Sequence, residues 1–291
     1  MTDRPDWFDE SLYPFASRFA EVEGARVHYL DEGTGPVLLM LHGNPTWSFL
    51  YRKLVVGLRD QFRCIAVDYP GFGLSTAPTG YGFTAAEHAK VVEGLVDQLG
   101  LDGITPIVQD WGGPIGMAMA VRHPDRFQAF IIGNTWAWPL TGNKTAERFS
   151  SLLGGERTGK VLVDRFNVFV NVFVRRGMRR RTPTEAEMRM WRGPFPTRES
   201  RLPVRVFPRE IVSATPLLRE VEQGLGKIAD KPALLLWADK DVAFRKPELE
   251  RFQSIFFRST TYMLRGAGHY WQDDAGEEAV LAIKDWWRSL G

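Results

Sequence analysis

The sequence predicts an α/β protein, built on a mostly parallel, doubly wound sheet with helices on both faces and a helical cap inserted. Three observations carry that expectation. Short apolar runs alternate with helically periodic segments through the first half of the chain. The alternation breaks between about residues 136 and 216, where arginines and aromatics accumulate and Pro183, Pro194, Pro196, Pro203, Pro208 and Pro216 crowd the second half. It then resumes to the C-terminus. The expected organisation is a core formed by residues 1–135 and 214–291, with residues 136–213 as a cap.

Taken in order, residues 26–30 and 37–41 read as strands, the first followed by turn residues 31–35. Residues 64–67, 104–108 and 130–132 read as further buried strands. Between them, Thr84 and Glu87 form a capping box, and Val91, Val92, Leu95, Val96 and Leu99 mark one helical face. Another helix begins just after Trp111 and runs through Met117 and Ala120 to Arg122. Within the cap, Phe166, Phe169, Val170 and Phe173 fall at helical spacing. Strand 233–237, a helix opened by Pro247, strand 260–264 and a last helix ending near Trp287 complete the core.

Composition limits the function classes. The chain has 291 residues, of which 44% are hydrophobic and 12% aromatic, enough to fill a large core. Lys and Arg total 37 against 35 Asp and Glu, so neither nucleic acid nor an anionic membrane is an expected partner. Cys64 stands alone within an apolar run and reads as a reduced core thiol. The N-terminus lacks the apolar stretch of a signal peptide, and no segment is long and apolar enough to span a membrane. A soluble, cytoplasmic protein is expected, with homo-oligomerisation left open.

The segment from Ile104 to Gly116, ITPIVQDWGGPIG, runs from a buried strand through a glycine-rich turn into a helix. That is the setting of a nucleophile elbow, with Asp110 where serine is usual. A carboxylate needs no base before it attacks. It suits an sp³ carbon carrying a leaving group, and the resulting ester has its carbonyl on the enzyme, where water can reach it. Alone, Asp110 would also fit a helix N-cap. A base for the water step is found in His269, in the loop Gly266-Ala267-Gly268-His269 just after the last strand. His28, His42, His88 and His123 read as structural. Asp239, directly after strand 233–237, is the preferred acid for His269, with Asp241 in reserve. The chain order acid nucleophile, acid, histidine matches known hydrolase triads. Backbone N–H groups of Asn44 and Trp111 would form an oxyanion hole, while the Asn44 amide and the Trp111 indole supply two donors suited to a departing halide.

His42-Gly43-Asn44-Pro45-Thr46-Trp47, Val108-Gln109-Asp110-Trp111-Gly112-Gly113 and Gly266-Ala267-Gly268-His269, in this order, resemble the haloalkane dehalogenases of the α/β-hydrolase fold. The likeness covers nearly the whole chain, including the turn Asp68–Ser75. It implies Asp110 as nucleophile, His269 as base, and Asn44 and Trp111 as the halide pair. It also implies hydrolysis of carbon–halogen bonds in small apolar substrates to alcohol and halide through an aspartyl ester, with no cofactor and no metal. Some family members carry a glutamate after the strand that here ends at Ile132. This chain has Asn134 there, so the acid must follow the next strand, as in the subfamily with an Asp-His-Asp triad and an Asn-Trp halide pair.

Two other classes compete. An epoxide hydrolase shares the aspartate elbow but also needs cap tyrosines, and residues 136–213 contain none. A small-molecule receptor on the same scaffold has no need for nucleophile, base and halide pair together. The run Arg175–Arg181 reads as a solvated helix face, with an oligomer contact as the alternative.

Overall fold

Among the described residues, eight strands form one sheet in the order β1-β2-β4-β3-β5-β6-β7-β8. They are β1 (Arg18–Val22), β2 (Ala25–Glu32), β3 (Val37–Leu41), β4 (Arg63–Val67), β5 (Thr105–Asp110), β6 (Phe130–Thr135), β7 (Ala233–Ala238) and β8 (Ser259–Leu264). The computed structural model describes residues 4–291. From β4 to β8 all pairings are parallel, and β1 and β2 are added antiparallel at one edge. β1 was not expected from sequence. It joins β2 through a two-residue turn in which Glu23 and Gly24 both have positive φ, the hairpin turn whose twist matches its strands.

The helices are α1 (Arg52–Leu58), α2 (Ala85–Gln98), α3 (Gly112–Arg122), α4 (Lys144–Gly154), α5 (Arg175–Gly177), α6 (Glu185–Arg192), α7 (Leu202–Ser213), α8 (Thr215–Gly224), α9 (Lys246–Ile255), α10 (Trp271–Asp274) and α11 (Gly276–Arg288). The expected capping box opens α2, with Thr84 and Glu87 bonding each other's backbone. α1 packs on α11, while α3 packs on α2 and α8. The chain moves from β3 outward to β4, then back past β3 to β5. Right-handed crossovers therefore place α1 on one face and α2 and α3 on the other. That reversal sets a topological switch point at the C-terminal ends of β3 and β5, where open α/β sheets bind ligands.

Between β6 and β7 the chain leaves the sheet and forms α4 to α7. The segments Lys160–Arg165 and Phe169–Val174 wind as π-helix. Phe169 and Val170 are buried beneath this layer, whereas Phe166 is exposed.

Candidate active site

Asp110 is the last residue of β5 and has φ +51°. The left-handed region costs a non-glycine residue about 1–2 kcal/mol, so the surroundings must hold it there. Thr135 Oγ1 donates to the Asp110 carbonyl at 2.5 Å. Behind it α3 passes so close to β3 that a Cβ on Gly112 would lie 1.9 Å from the Leu41 carbonyl oxygen. Gly43 faces the carboxylate itself, since a Cβ there would fall 2.1 Å from Asp110 Oδ1. Only glycine lets β3, the elbow and the loop after β3 close up in this way.

That close approach lets the Asn44 backbone N–H donate to Asp110 Oδ1 at 2.8 Å. The Trp111 backbone N–H bonds the same carboxylate. Burial raises the Asp110 pKa above the ordinary carboxylate value, against the pull of His269 and the two N–H groups. The other oxygen, Oδ2, lies 3.8 Å from His269 Nε2.

The imidazole of His269 is fixed from both ends. Nδ1 meets Asp241 Oδ2 at 2.8 Å. Nε2 meets the side-chain nitrogen of Gln109 at 2.8 Å, and the same nitrogen lies 3.3 Å from the His269 carbonyl oxygen. Burial disfavours the charged ring, but the Asp241 carboxylate, its hydrogen bond and Asp110 outweigh it, and the His269 pKa is raised.

The expectation of Asp239 beside His269 is corrected by this geometry. Asp239 Oδ1 accepts the Gly266 N–H at 2.6 Å, and its side chain is 22% exposed beside Arg265. Asp241 is fully buried. The chain turns as soon as β7 ends, and Lys240 N–H donates to the Ala267 carbonyl. The turn sends Asp239 towards the loop after β8 and Asp241 under the imidazole. Asn134 pins the same loop, donating to the Ala238 and Phe244 carbonyls and accepting the Ala238 N–H.

Trp111 is buried between Trp136, edge-on at 4.7 Å, and Phe207, stacked at 5.1 Å. Phe244 stacks on Trp136 and faces His269. A cleft of about 780 Å³ is bordered by Asp239, Asp241, Val242, Phe244 and Arg265, and not by Asp110, Trp111 or His269. Tyr270 packs edge-on to His269 at 4.8 Å and touches the inserted segment at Gly177, so a tyrosine stands near the site although none lies in 136–213.

The other histidines serve the scaffold. His28 bonds Asp68 in the core, while burial pushes His42 down to about 4 and His88 down to about 3. The basic run is a solvated helix face only at Arg175 and Arg176, which lie exposed on α5. Beyond α5 the chain leaves the helix and bends at Arg179 and Arg180, whose N–H groups donate to Asp274, which also accepts the Gly268 N–H. Arg181 pairs with Glu187 and Asp273. Two buried acids beneath the run draw it onto the core.

Sequence reasoning also missed Gln109. It precedes Asp110, and only the sharp elbow turns its side chain to the imidazole.

The family described as alpha/beta hydrolase fold matches residues 36–275. Over 280 residues the chain is 44% identical to haloalkane dehalogenase 2 of Mycobacterium tuberculosis strain H37Rv, covering 94% of this chain and 96% of that protein. It is 32% identical to a cis-3-alkyl-4-alkyloxetan-2-one decarboxylase of Shewanella oneidensis, covering 94% and 89%. Among solved structures, haloalkane dehalogenase DbeA of Bradyrhizobium elkani USDA94 superposes with a TM-score of 0.86 at 25% identity, covering 94% and 97%. The elbow fold, the 44% identity across almost the whole chain and the dehalogenase structures agree: this chain belongs to the haloalkane dehalogenases of the alpha/beta hydrolase fold, hydrolases acting on carbon–halogen bonds.

Proposed function

We propose that Asp110, His269 and Asp241 carry the reaction, with Asn44 and Trp111 holding the departing halide. The observation that carries this reading is His269 suspended between Asp241 at 2.8 Å and Asp110 at 3.8 Å, while Asn44 N–H holds the other Asp110 oxygen. Oδ2 attacks the carbon in line, the carbon–halogen bond breaks, and halide leaves against the Trp111 and Asn44 donors. Oδ1 becomes the ester carbonyl oxygen, already bonded to the N–H groups that would stabilise an oxyanion. His269 takes a proton from water, hydroxide adds to Cγ, the ester collapses to alcohol and the Asp110 carboxylate, and the imidazolium gives its proton up to solvent. Asp241 holds the ring in the tautomer with its proton on Nδ1 and stabilises the imidazolium.

Supporting this scheme, the inserted segment 136–213 would act as a cap over a core of residues 1–135 and 214–291. The proposed substrates are small, apolar haloalkanes and the proposed location is the cytoplasm. No helix among the described residues is long and apolar enough to cross a membrane.

Halide release from bromo- and iodoalkanes is compared in the native protein, Asp110→Ala and His269→Ala. Release vanishes in Asp110→Ala, and His269→Ala releases one equivalent and then stalls with an alkyl adduct on Asp110 in the intact mass. An unmodified His269→Ala protein overturns the two-step scheme.

A second reading follows from the decarboxylase relatives, at 32% and 33% identity over 94% of this chain. Asp110 could open an oxetan-2-one by attacking its sp³ C–O carbon. Loss of CO₂ from the resulting carboxylate would then form an alkene and expel Asp110. Alkene release from a dialkyl β-lactone, with halide release absent, would favour it.

A further inference from the structure

Helix α7 carries a proline in its interior, at Pro208. In an α-helix the carbonyl of residue i accepts the N–H of residue i+4, and proline has none to give. The carbonyl deprived of that donor is Val204. It accepts instead from the side-chain nitrogen of Asn44 at 3.0 Å. From the same turn of α7, Phe207 stacks on Trp111. One helix of the insertion therefore touches both residues of the halide pair.

We propose that Pro208 is a positioning residue for the leaving-group site: by withholding one helical N–H, it keeps the Val204 carbonyl free to orient the Asn44 amide. The inference rests on the reading of Asn44 as a halide donor. A carboxamide has a donor end and an acceptor end of nearly the same shape. A carbonyl can only accept, so Val204 selects the nitrogen end. Asn44 Oδ1 is turned into a buried position where it makes no hydrogen bond. The second N–H of the same nitrogen remains for the departing anion. Were the helical bond to close on an N–H at 208, Asn44 would lose its partner, and its amide would be free to turn the oxygen, which repels halide.

The test uses Pro208→Ala, Asn44→Ala and the double variant. Bromide and chloride binding is read by tryptophan fluorescence, and halide release from bromobutane and chlorobutane is measured beside the melting temperature. Pro208→Ala weakens halide binding about fivefold, the size of one ordinary hydrogen bond. Turnover of the chloroalkane, with its poorer leaving group, falls more than that of the bromoalkane, and the melting temperature does not fall. Asn44→Ala weakens halide binding at least as much, and the double variant binds no more weakly than Asn44→Ala alone. Effects that add in the double variant, or native halide binding in Pro208→Ala, overturn the proposal while leaving Asn44 as donor. Native binding in Asn44→Ala overturns both. A further variant replaces Pro208 with an α-hydroxy acid, forming a backbone ester that also lacks the N–H. It keeps native halide binding; weakening like that of alanine would assign the effect to the proline ring and sink the inference.

Discussion

The Gln109 amide meets two atoms of His269, and their chemistry fixes which way it faces. The His269 carbonyl can only accept, so the nearby Gln109 atom is the nitrogen. Its other N–H then points at Nε2, which accepts only when the ring is neutral, with the remaining proton on Nδ1 towards Asp241. Gln109 thus favours the form of His269 that can take a proton from water, opposing the upward pull of Asp241 and Asp110. A base must be unprotonated to act, so activity falls as pH drops through the His269 pKa, which lies above the usual imidazole value. Removing a donor to the neutral form raises that pKa further. In Gln109→Leu the acid limb of ester hydrolysis moves to higher pH, and in Gln109→Glu by about one unit or more. The first halide burst persists in both. An acid limb unchanged in Gln109→Glu would show that Gln109 does not set the state of the base.

At the scale of elements, the loop after β7 decides which acid meets His269. Asp241→Asn removes the charge that supports the imidazolium and permits the wrong tautomer, so steady-state turnover falls by roughly 10²–10⁴-fold. Asp239→Asn keeps an oxygen to accept the Gly266 N–H and loses only its charge beside Arg265 at a partly exposed site, and turnover stays within about threefold. Equal losses in the two variants would contradict the assignment. The sequence could not separate these two aspartates, because both follow a clear apolar strand and a turn of three residues sets their directions. The elbow was legible because glycines, a buried strand and a helix start coincide within a few residues. β1 was not, being five residues long, half exposed and paired only at the sheet edge. Asn134 was legible as a residue that cannot be the acid, but not as the one whose amide holds the loop of Asp241.

For the molecule as a whole, the seam between insertion and core is held by a buried cluster of charge. Asp273, with no exposed side-chain surface, bonds Arg52 and Lys53 of the core and Arg181 of the insertion, while Arg52 also pairs with Glu187. Burial works against ionisation of Asp273, yet the three cations hold its pKa below the ordinary carboxylate value. Its contribution is therefore complete above an unfolded carboxylate pKa of about 4 and is lost as the pH falls through the lower folded value. Asp273→Asn leaves the buried Arg52, and the partly exposed Lys53 and Arg181, with Glu187 as the remaining carboxylate of the cluster. Breaking such a pair costs about 3 kcal/mol or more, and the melting temperature drops by roughly 6–12 °C. A drop of less than about 2 °C would mean that the cluster holds little.

Asp274, the next residue, fastens Gly268 ahead of the base and the Arg179–Arg180 backbone of the insertion. The four residues of α10 thus make a single joint, with the inserted segment on one strut and the loop of His269 on the other. If the insertion is the proposed cap, a swing that lets the alcohol escape pulls on the seat of His269 in the same stroke. Turnover speed and registry of the imidazole then become one mechanical variable, and a loosened joint would trade accurate water activation for faster escape.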